Sequence, residues 1–420
     1  MPLYRLSGDN PTSGGTDILN ACFSMNGDPT ITPEKVLCAL LDSRGQAAVV
    51  SGNQGGHPTR IRALEALREG ILSVAALAKR IEVSRQTAYR ALDPGRKAGF
   101  IRSLEGGVSL SCSGGAVLKV YHDLCREIDR EALVQLARSK HKRWILQTLE
   151  TVPARKATLA STGQQQGGPS RTTVHRIIDA FVADGYVLER GGAYEVTEMG
   201  RLLLSSYTEF RTVIAQALDK REFLRWLPAD LESFPVDALA DSKVIRNAPK
   251  QPHNVLSAFT RIAETNFGRF RGITTIMSPT LANAYYPVLS SETQVSVVFP
   301  DEILSQLHAD HEFIDFVKEY GFESYIRDGQ PARDSEFMFV PEPLPVHLAI
   351  CDDTRVILAP SPSTGVPESS ASAIDSNDPD IVEWAATFFE SFRDKGRPPV
   401  RALLEQKMAQ GSDPQRRAGD

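Results

Sequence analysis

The chain has no apolar run approaching the ~20 residues that a membrane-spanning helix needs. Residues 1–20 have neither the basic start nor the apolar core of a signal peptide. The five cysteines are scattered along 420 residues without the paired spacing of a zinc site or a disulfide framework. These absences argue against membrane association, secretion and a bound metal, and we expect a cytoplasmic protein without a cofactor.

Charge is unevenly distributed along the chain, although the formal net charge is only −5. Residues 59–104 contain ten Lys/Arg and four Asp/Glu, and residues 138–201 contain ten and six. Residues 300–390 contain four and nineteen. A basic front half joined to an acidic back half is the distribution expected of a DNA-docking segment followed by a solvated domain.

An internal repeat is the most informative feature of the chain. Residues 84–118 align with residues 170–204 without a gap. The matching pairs include the following: Ser84 and Ser170, Arg85 and Arg171, Arg90 and Arg176, Asp93 and Asp179, Gly99 and Gly185, Gly106 and Gly192, Gly114 and Gly200, Leu118 and Leu204. Because chance would have to supply the whole spacing twice, the repeat predicts two copies of one structural module.

The second copy has the pattern of a helix followed by a hairpin. Apolar residues recur at helical spacing: Val174, Ile177, Ile178, Phe181 and Val182. Ser170 is placed to cap the first turn of this helix, and Gly185 is placed to end it. Residues 186–190 and 193–197 are β-prone and flank a Gly-Gly turn, which predicts the wing of a winged helix. Residues 100–104 and 108–111 predict a weaker wing in the first copy.

Two helices are predicted upstream of each recognition helix, as a helix-turn-helix requires. They cover residues 61–69 and 74–81 in the first copy, and residues 144–149 and 154–160 in the second. The longer turn at residues 162–169 predicts that the second recognition helix is aimed less firmly. Pro94 and Gly95 predict that the first recognition helix is short or kinked, because an interior proline costs roughly 3 kcal/mol.

The candidate DNA-contacting residues lie on the polar face of each predicted recognition helix and on the second wing. They are Ser170, Arg171, Thr172, Thr173, His175, Arg176 and Arg190, together with Ser84, Arg85, Gln86, Thr87, Tyr89 and Arg90. Contacts to base edges and phosphates in the major groove of double-stranded DNA are expected of such side chains. We expect most sequence specificity from the second copy, and auxiliary phosphate contacts or dimer packing from the first.

The rest of the chain alternates between predicted helices and strands after a helix at residues 207–226. Helices are expected at 255–265, 279–289, 301–319 and 380–393. Strands are expected at 272–277, 294–299, 324–327, 336–340, 347–351 and 355–358, with a mobile loop at 360–377. This alternation predicts an α/β sheet domain with helices on its faces.

The sequence therefore predicts a multidomain α+β or α/β protein, with tandem winged helix-turn-helix domains followed by an α/β sensor domain. The expected divisions are a poorly defined N-terminal extension at 1–57, winged-helix domains at 58–128 and 129–206, the sensor domain at 207–395 and a flexible tail at 396–420.

Several segments of the back half carry a family resemblance: residues 222–228, 234–239, 295–305, 351–353 and 383–389. Over roughly residues 143–395, the chain resembles archaeal winged-helix transcriptional regulators with a methanogenesis-regulator middle domain. The resemblance implies a winged helix before a ligand-sensing α/β domain. Many such regulators carry one winged helix, so the first copy is additional here.

Enzymatic chemistry is not expected. Related sensor domains are similar in fold to phospholipase-D-like enzymes, whose His-x-Lys-x4-Asp motif performs phosphoryl transfer. His347 begins that spacing, but Ala349 stands at the lysine position and Thr354 at the aspartate position. Without the lysine, the phosphate charge is not neutralised. His308, Asp310 and His311 could be metal ligands, and His308 and His311 share a helical face, but no fourth ligand is identifiable and a solvated acidic face is favoured.

The sequence favours a sequence-specific transcriptional regulator that acts as a homodimer and responds to a small-molecule effector or a partner. One alternative is a protein-interaction scaffold, since a Ser-capped helix with exposed arginines is also an ordinary surface helix. A phosphoesterase with a DNA-targeting front half is the weaker alternative.

Overall fold

The computed structural model describes residues 31–41, 58–228, 231, 233–275, 281, 284–285, 288, 293–303, 335–361, 364, 371–398 and 402. This part of the chain is α+β. Helices and two small hairpins make up its front half, and one seven-stranded mixed sheet organises its back half.

Two units of the same construction follow each other in the front half. The first contains α1 (Pro33–Leu41), α2 (Thr59–Leu67), α3 (Val74–Arg80), α4 (Arg85–Ala98), β1 (Ile101–Leu104), β2 (Gly107–Leu110) and α5 (Cys112–Leu124). The second contains α6 (Arg130–Arg138), α7 (Lys140–Thr151), α8 (Lys156–Gln165), α9 (Arg171–Ala183), β3 (Val187–Arg190), β4 (Ala193–Val196) and α10 (Glu198–Asp219). We call these the first unit and the second unit.

The predicted recognition helices α4 and α9 begin in the same way. The hydroxyl of Ser84 accepts a hydrogen bond from the Thr87 amide at 3.1 Å, and that of Ser170 accepts one from the Thr173 amide at 3.3 Å. Each serine thereby satisfies an amide that the first helical turn leaves without a partner. Both predicted caps are confirmed.

Helices α4 and α9 also end in the same way. Gly99 and Gly185 adopt left-handed φ values of 81° and 77°, and the residue after each donates its amide to a carbonyl five positions earlier. This is a Schellman ending, which glycine accommodates without steric cost. The antiparallel hairpins β1–β2 and β3–β4 follow at identical spacing, and both are four residues per strand. The first hairpin is therefore as regular as the second, although the sequence suggested a weaker one.

Pro94 does not shorten α4, contrary to the sequence-based prediction. The helix is continuous over 14 residues. Proline removes one amide donor, but tertiary contacts hold the last turn. Gly95 is buried so closely against Ile101 that a Cβ atom there would lie 2.7 Å from that side chain, and its carbonyl accepts the Phe100 amide at 2.8 Å.

The long turn before α9 is anchored, which corrects the expectation of a loosely aimed helix. Helix α8 extends to Gln165, so most of the additional residues lengthen the helix. The Gly168 amide donates to the Gly163 carbonyl at 2.6 Å, and the Trp144 indole donates to the Gln166 side chain at 3.3 Å. These contacts fix the start of α9.

Two other helical predictions need correction. Thr197 caps α10, which therefore begins at Glu198 rather than at residue 207, ends at Asp219 and crosses the predicted boundary after residue 206. Part of the segment 1–57 is also well packed, because Leu37 and Leu40 of α1 are at most 1% exposed. A short helix, α11 (Arg221–Leu224), and a 3₁₀ helix (Val236–Leu239) lead towards the sheet.

The sheet domain contains β5 (Lys243–Arg246), α12 (Asn254–Ile262), β6 (Arg269–Ile273), β7 (Gln294–Pro300), β8 (Ser335–Val340), β9 (Val346–Cys351), β10 (Arg355–Pro360), β11 (Ser372–Ser376) and α13 (Pro379–Arg393). The strand order is β5-β11-β10-β9-β6-β7-β8. Strands β6, β7 and β8 pair in parallel, and the other neighbours are antiparallel.

Alternate residues of the sheet point to two separate cores. Val356 and Leu358 of β10 join the larger core, which extends from α13 into both units of the front half. Ile357 and Ala359 face the opposite side and pack in a smaller core with α12. This period of two follows from the pleat of the strand. The sheet domain and the two units consequently share one continuous hydrophobic core.

Most sheet elements lie where the sequence predicts them, but β5 and β11 were missed. Strand β11 lies within the segment 360–377 that was expected to be a mobile loop. Its serines are buried and satisfied: the Ser372 hydroxyl donates to the Glu222 carbonyl at 3.1 Å, and the Ser376 hydroxyl accepts from Ser242 at 2.9 Å. The predicted strand at 324–327 and most of the predicted helices at 279–289 and 301–319 lie outside the described residues.

Candidate functional site

The predicted contact residues form one matching surface on each unit, at the start of α4 and of α9. Most of these side chains are exposed: Ser84, Arg85, Gln86, Tyr89 and Arg90 in the first unit, and Ser170, Arg171, Thr172 and Arg176 in the second. Thr87, Thr173 and His175 are half-buried. We call these surfaces the first reader and the second reader.

The threonines at the third helical position have a structural role in both readers. The Thr87 hydroxyl lies 2.9 Å from the Ser84 hydroxyl, and the Thr173 hydroxyl lies 2.9 Å from the Ser170 hydroxyl. These pairs tie each threonine to the helix cap, so the threonines are weaker candidates for a DNA contact than the neighbouring arginines.

Each reader presents two arginines that no acidic side chain neutralises among the described residues: Arg85 and Arg90 in the first, Arg171 and Arg176 in the second. The nearby acidic residues pair with lysines instead. Lys97 contacts Asp93 at 2.8 Å, and Lys156 contacts Asp179 at 2.5 Å. The arginines are therefore available to an external anion.

The two hairpins present an arginine at different places, Arg102 within a strand of the first and Arg190 at the end of a strand of the second. On the second hairpin, the side chain of Arg190 is 81% exposed and lies 3.5 Å from Glu195. On the first, Arg102 is only 9% exposed, and its guanidinium donates to the Thr364 carbonyl of the sheet domain at 2.9 Å. The first hairpin thus contacts the sheet domain through Arg102, while its tip at Glu105 and Gly106 is exposed, as is the tip of the second at Gly191 and Gly192. The sequence contains no signal for this contact, because 262 positions separate the two residues.

A polar cluster surrounds His347 where the central strands β6, β9 and β10 begin or end. The Thr275 amide donates to His347 Nδ1 at 3.2 Å, and the Thr275 hydroxyl lies 3.0 Å from Nε2. The Ser361 hydroxyl donates to the Thr275 hydroxyl at 3.1 Å. Because Nδ1 accepts an amide proton, the ring is neutral with its own proton on Nε2.

Hydrogen bonds connect this cluster to the first hairpin. Thr364 donates its amide to the Ser361 carbonyl at 3.0 Å. The carbonyl of the same threonine accepts the Arg102 guanidinium. The connection runs from His347 through Thr275, Ser361 and Thr364 to Arg102.

The surroundings of His347 differ from a phosphoryl-transfer site. Ala349 is 1% exposed and sits in the smaller core, opposite Gly272 in the neighbouring strand. Thr354 follows the turn at Asp352 and Asp353, and its hydroxyl donates to the Cys351 carbonyl at 3.3 Å. Neither position supplies the charge that such a motif requires.

His347 should make the fold sensitive to acid. His347 is half-buried, and burial lowers the pKa of its imidazole from 6.5 to about 4. Between these values the unfolded chain binds a proton that the folded chain does not, so stability decreases as the pH falls, by about 2 kcal/mol at a pH of about 5.

Replacing His347 with glutamine removes this titration. Between a pH of about 7 and one of about 5, His347→Gln should therefore lose less unfolding free energy than the unmodified protein in denaturant titrations. Equal losses in the two proteins would contradict this assignment.

Within the part of the chain that the structure describes, no group of three His, Cys, Asp or Glu side chains could hold a metal ion. His308 and His311 lie outside that part. No described helix is long and apolar enough to cross a membrane.

Family models match both halves of the chain. The HVO_A0261 N-terminal domain matches twice, at residues 54–133 and 130–219. The middle domain of the methanogenesis regulatory protein FilR1 matches residues 252–395. No curated protein matches the chain.

Three solved structures are weakly similar. TrmBL2, an archaeal chromatin protein described as showing a novel mode of DNA binding, is 12% identical and has a TM-score of 0.29, covering 63% of this chain and 93% of its own. NucT from Helicobacter pylori is 11% identical, with a TM-score of 0.27 and coverage of 38% and 98%. The phospholipase D family member Nuc from Salmonella typhimurium is 12% identical, with a TM-score of 0.27 and coverage of 37% and 97%. Likenesses this weak carry no weight for fold or function.

The second match of the N-terminal model coincides with the second unit, the first covers the first unit from α2 onwards, and the FilR1 match covers most of the sheet domain. Over these residues the chain is therefore similar to domains of archaeal regulators.

Proposed function

We propose that the protein is a DNA-binding transcriptional regulator with two winged helices. In this proposal, α3–α4 and α8–α9 are helix-turn-helix pairs, and the hairpins are their wings. The observation that carries the proposal is the repetition of one exposed cationic helix start: a serine cap, an arginine at the first helical position and another five residues later, in both units.

The readers would act by placing the starts of α4 and α9 in major grooves. Arg171 and Arg176, with their counterparts Arg85 and Arg90, would contact guanine edges or phosphates, because the guanidinium group donates in two directions at once. The exposed Arg190 would reach the backbone or the minor groove from the second wing. Arg102 would not contact DNA, since it is buried against the sheet domain.

Salt dependence tests the proposal directly. If about four to six phosphates are neutralised, the log–log slope of affinity against salt should be steeper than roughly −3. Binding titrations of the full chain on genomic duplex fragments measure this slope. A flat response, or no binding at about 0.1 M salt, where the Debye length is ~10 Å, would favour a protein-interaction scaffold instead.

We further propose that the sheet domain senses a small molecule or a partner and acts on the first reader. The support is the hydrogen-bonded connection from the His347 cluster to Arg102. A ligand that changes the position of Ser361 or Thr364 would change how the first hairpin is held. The position of the first reader relative to the second would then shift towards the arrangement that the ligand favours, which is a population shift.

The sensing proposal predicts binding without turnover. The full chain should hydrolyse phosphodiesters no faster than His347→Gln, and it should gain thermal stability from a cellular small molecule that binds only the folded state. Arg102→Ala should keep that stabilisation and lose the ligand's effect on DNA affinity. Hydrolysis that disappears in His347→Gln would instead support a phosphoesterase, and an unchanged ligand effect in Arg102→Ala would rule out the proposed route.

A further inference from the structure

The repeat extends further upstream than residue 84, at a different spacing. The segment Ile31-Thr32-Pro33-Glu34 corresponds to Ile128-Asp129-Arg130-Glu131, and each is the start of a helix. Thr32 and Asp129 accept amide hydrogen bonds there in the same capping role. Helix α1 is thus the counterpart of α6, and each unit has its own leading helix.

The repeat also includes the helices that follow the hairpins. Four buried positions of α5 have buried counterparts in α10: Val117 and Leu203, Leu118 and Leu204, Tyr121 and Tyr207, Leu124 and Phe210. Ser111 and Thr197 cap these helices, and their hydroxyls also donate to the carbonyls of Gly99 and Gly185 at 2.7 and 2.8 Å. Helix α5 is thus the counterpart of α10.

Counterpart helices pack against each other in the folded chain. Helix α1 packs on α6, and α5 packs on α10. When equivalent elements of two copies contact one another, the contact is isologous, which is the pattern of a twofold dimer. Helix α10 is longer than α5 and reaches α1 as well, where Arg211 contacts Glu34 at 2.6 Å.

This internal interface belongs to the hydrophobic core. Leu37 of α1, Leu133 of α6, Val117 of α5 and Phe210 of α10 are all 0% exposed and belong to the same core. The surfaces through which one unit could pair with a second chain are therefore occupied by the neighbouring unit of the same chain.

We propose that the two units form an internal dimer, so that a single chain reads two half-sites of one duplex. This inference rests on the proposed DNA-binding function, and it replaces the homodimer expected from the sequence. Covalent linkage makes the pairing of readers independent of protein concentration, whereas a homodimer of single units would separate on dilution. It also allows the two units to differ, and the hairpin of the first unit bonds to the sheet domain through Arg102.

Two measurements on the full chain test the inference. Sedimentation equilibrium without DNA should give the mass of one chain over about a hundredfold range of concentration. Native mass spectrometry should then find one chain on each specific duplex. A two-chain mass without DNA, or an obligate second chain on the duplex, would overturn the inference.

A mixing experiment distinguishes binding of one DNA site by a single chain from binding of that site by two chains. One variant carries Arg85→Ala and Arg90→Ala, and the other carries Arg171→Ala and Arg176→Ala. All four arginines are exposed, so the folds should persist. Co-refolded mixtures should bind DNA no better than the better single variant, because neither chain holds two intact readers. Restored affinity in the mixture would require two chains per site and would overturn the inference.

The outcomes also separate this inference from the proposed function. A one-chain mass with no affinity for any duplex would refute DNA binding and still support the internal dimer. A two-chain mass with salt-dependent DNA binding would support the regulator and refute the internal dimer.

Discussion

Replacing both Arg171 and Arg176 with alanine is expected to weaken specific duplex binding by at least roughly thirty-fold. Each arginine that contacts a base edge or phosphate contributes about 1–3 kcal/mol, so the pair contributes about 2–6 kcal/mol if the contacts are independent. The loss should be larger on the preferred site than on a scrambled duplex, because base contacts carry the discrimination. Fluorescence anisotropy titrations on both duplexes measure it.

The matched variant in the first unit is Arg85→Ala with Arg90→Ala. The sequence ranked the first reader lower because of Pro94, but α4 is continuous and its arginines are as exposed as those of α9. We therefore expect a loss of similar size. Arg261→Ala is a control, since this exposed arginine lies on α12 of the sheet domain. If the control loses as much affinity as the reader variants, the effect is non-specific charge and the readers are misassigned.

Gly200→Ala is expected to destabilise the second unit by about 3 kcal/mol or more. A Cβ atom at Gly200 would lie 2.2 Å from the Tyr186 carbonyl oxygen and 2.7 Å from the Val196 side chain. Overpacking of a tight contact commonly costs about 1–3 kcal/mol of unfolding free energy. Here the added Cβ atom would clash with a backbone carbonyl, which cannot change rotamer to relieve the overlap. The hairpin should be displaced from α10, which thermal unfolding and duplex binding would both register.

Gly192→Ala is the matched control for this substitution. Gly192 has a φ of 78°, but a Cβ atom there would meet nothing within 4 Å. Its cost should be limited to the left-handed backbone, about 1 kcal/mol. Gly114, whose Cβ would lie 2.3 Å from the Phe100 carbonyl, is the counterpart in the first unit and should behave like Gly200. Comparable losses in Gly192→Ala and Gly200→Ala would show that the close approach is not the cause.

The sequence by itself determined the local elements of the two units. Ser84, Ser170, Gly99 and Gly185 start and end α4 and α9 through bonds to residues at most five positions away. Such interactions are set by the segment itself, so they repeat wherever the segment repeats. The exposure of the reader arginines follows from the same pattern, because the apolar stripe fixes which face is buried.

Tertiary contacts determined the secondary structure where local sequence signals conflicted or were missing. Pro94 predicts a broken helix locally, yet α4 is whole, with Gly95 buried between Ile101 and the distant Leu64 of α2. The sequence of strand β11 predicts a polar loop. Its position between β5 and β10 buries it, and its serine hydroxyls form hydrogen bonds there. In both cases, contacts to distant residues outweigh local preference.

The asymmetry between the two units also comes only from the tertiary structure. The hairpins have the same length and register, yet Arg102 of the first is buried and bonds to Thr364 of the sheet domain, whereas its counterpart in the second is the half-buried Leu188. The pairing of α1 with α6 and of α5 with α10 likewise depends on burying helix faces that no local pattern assigns to a partner. An apolar stripe predicts that one face of a helix is buried. Only the folded chain determines which surface packs against that face.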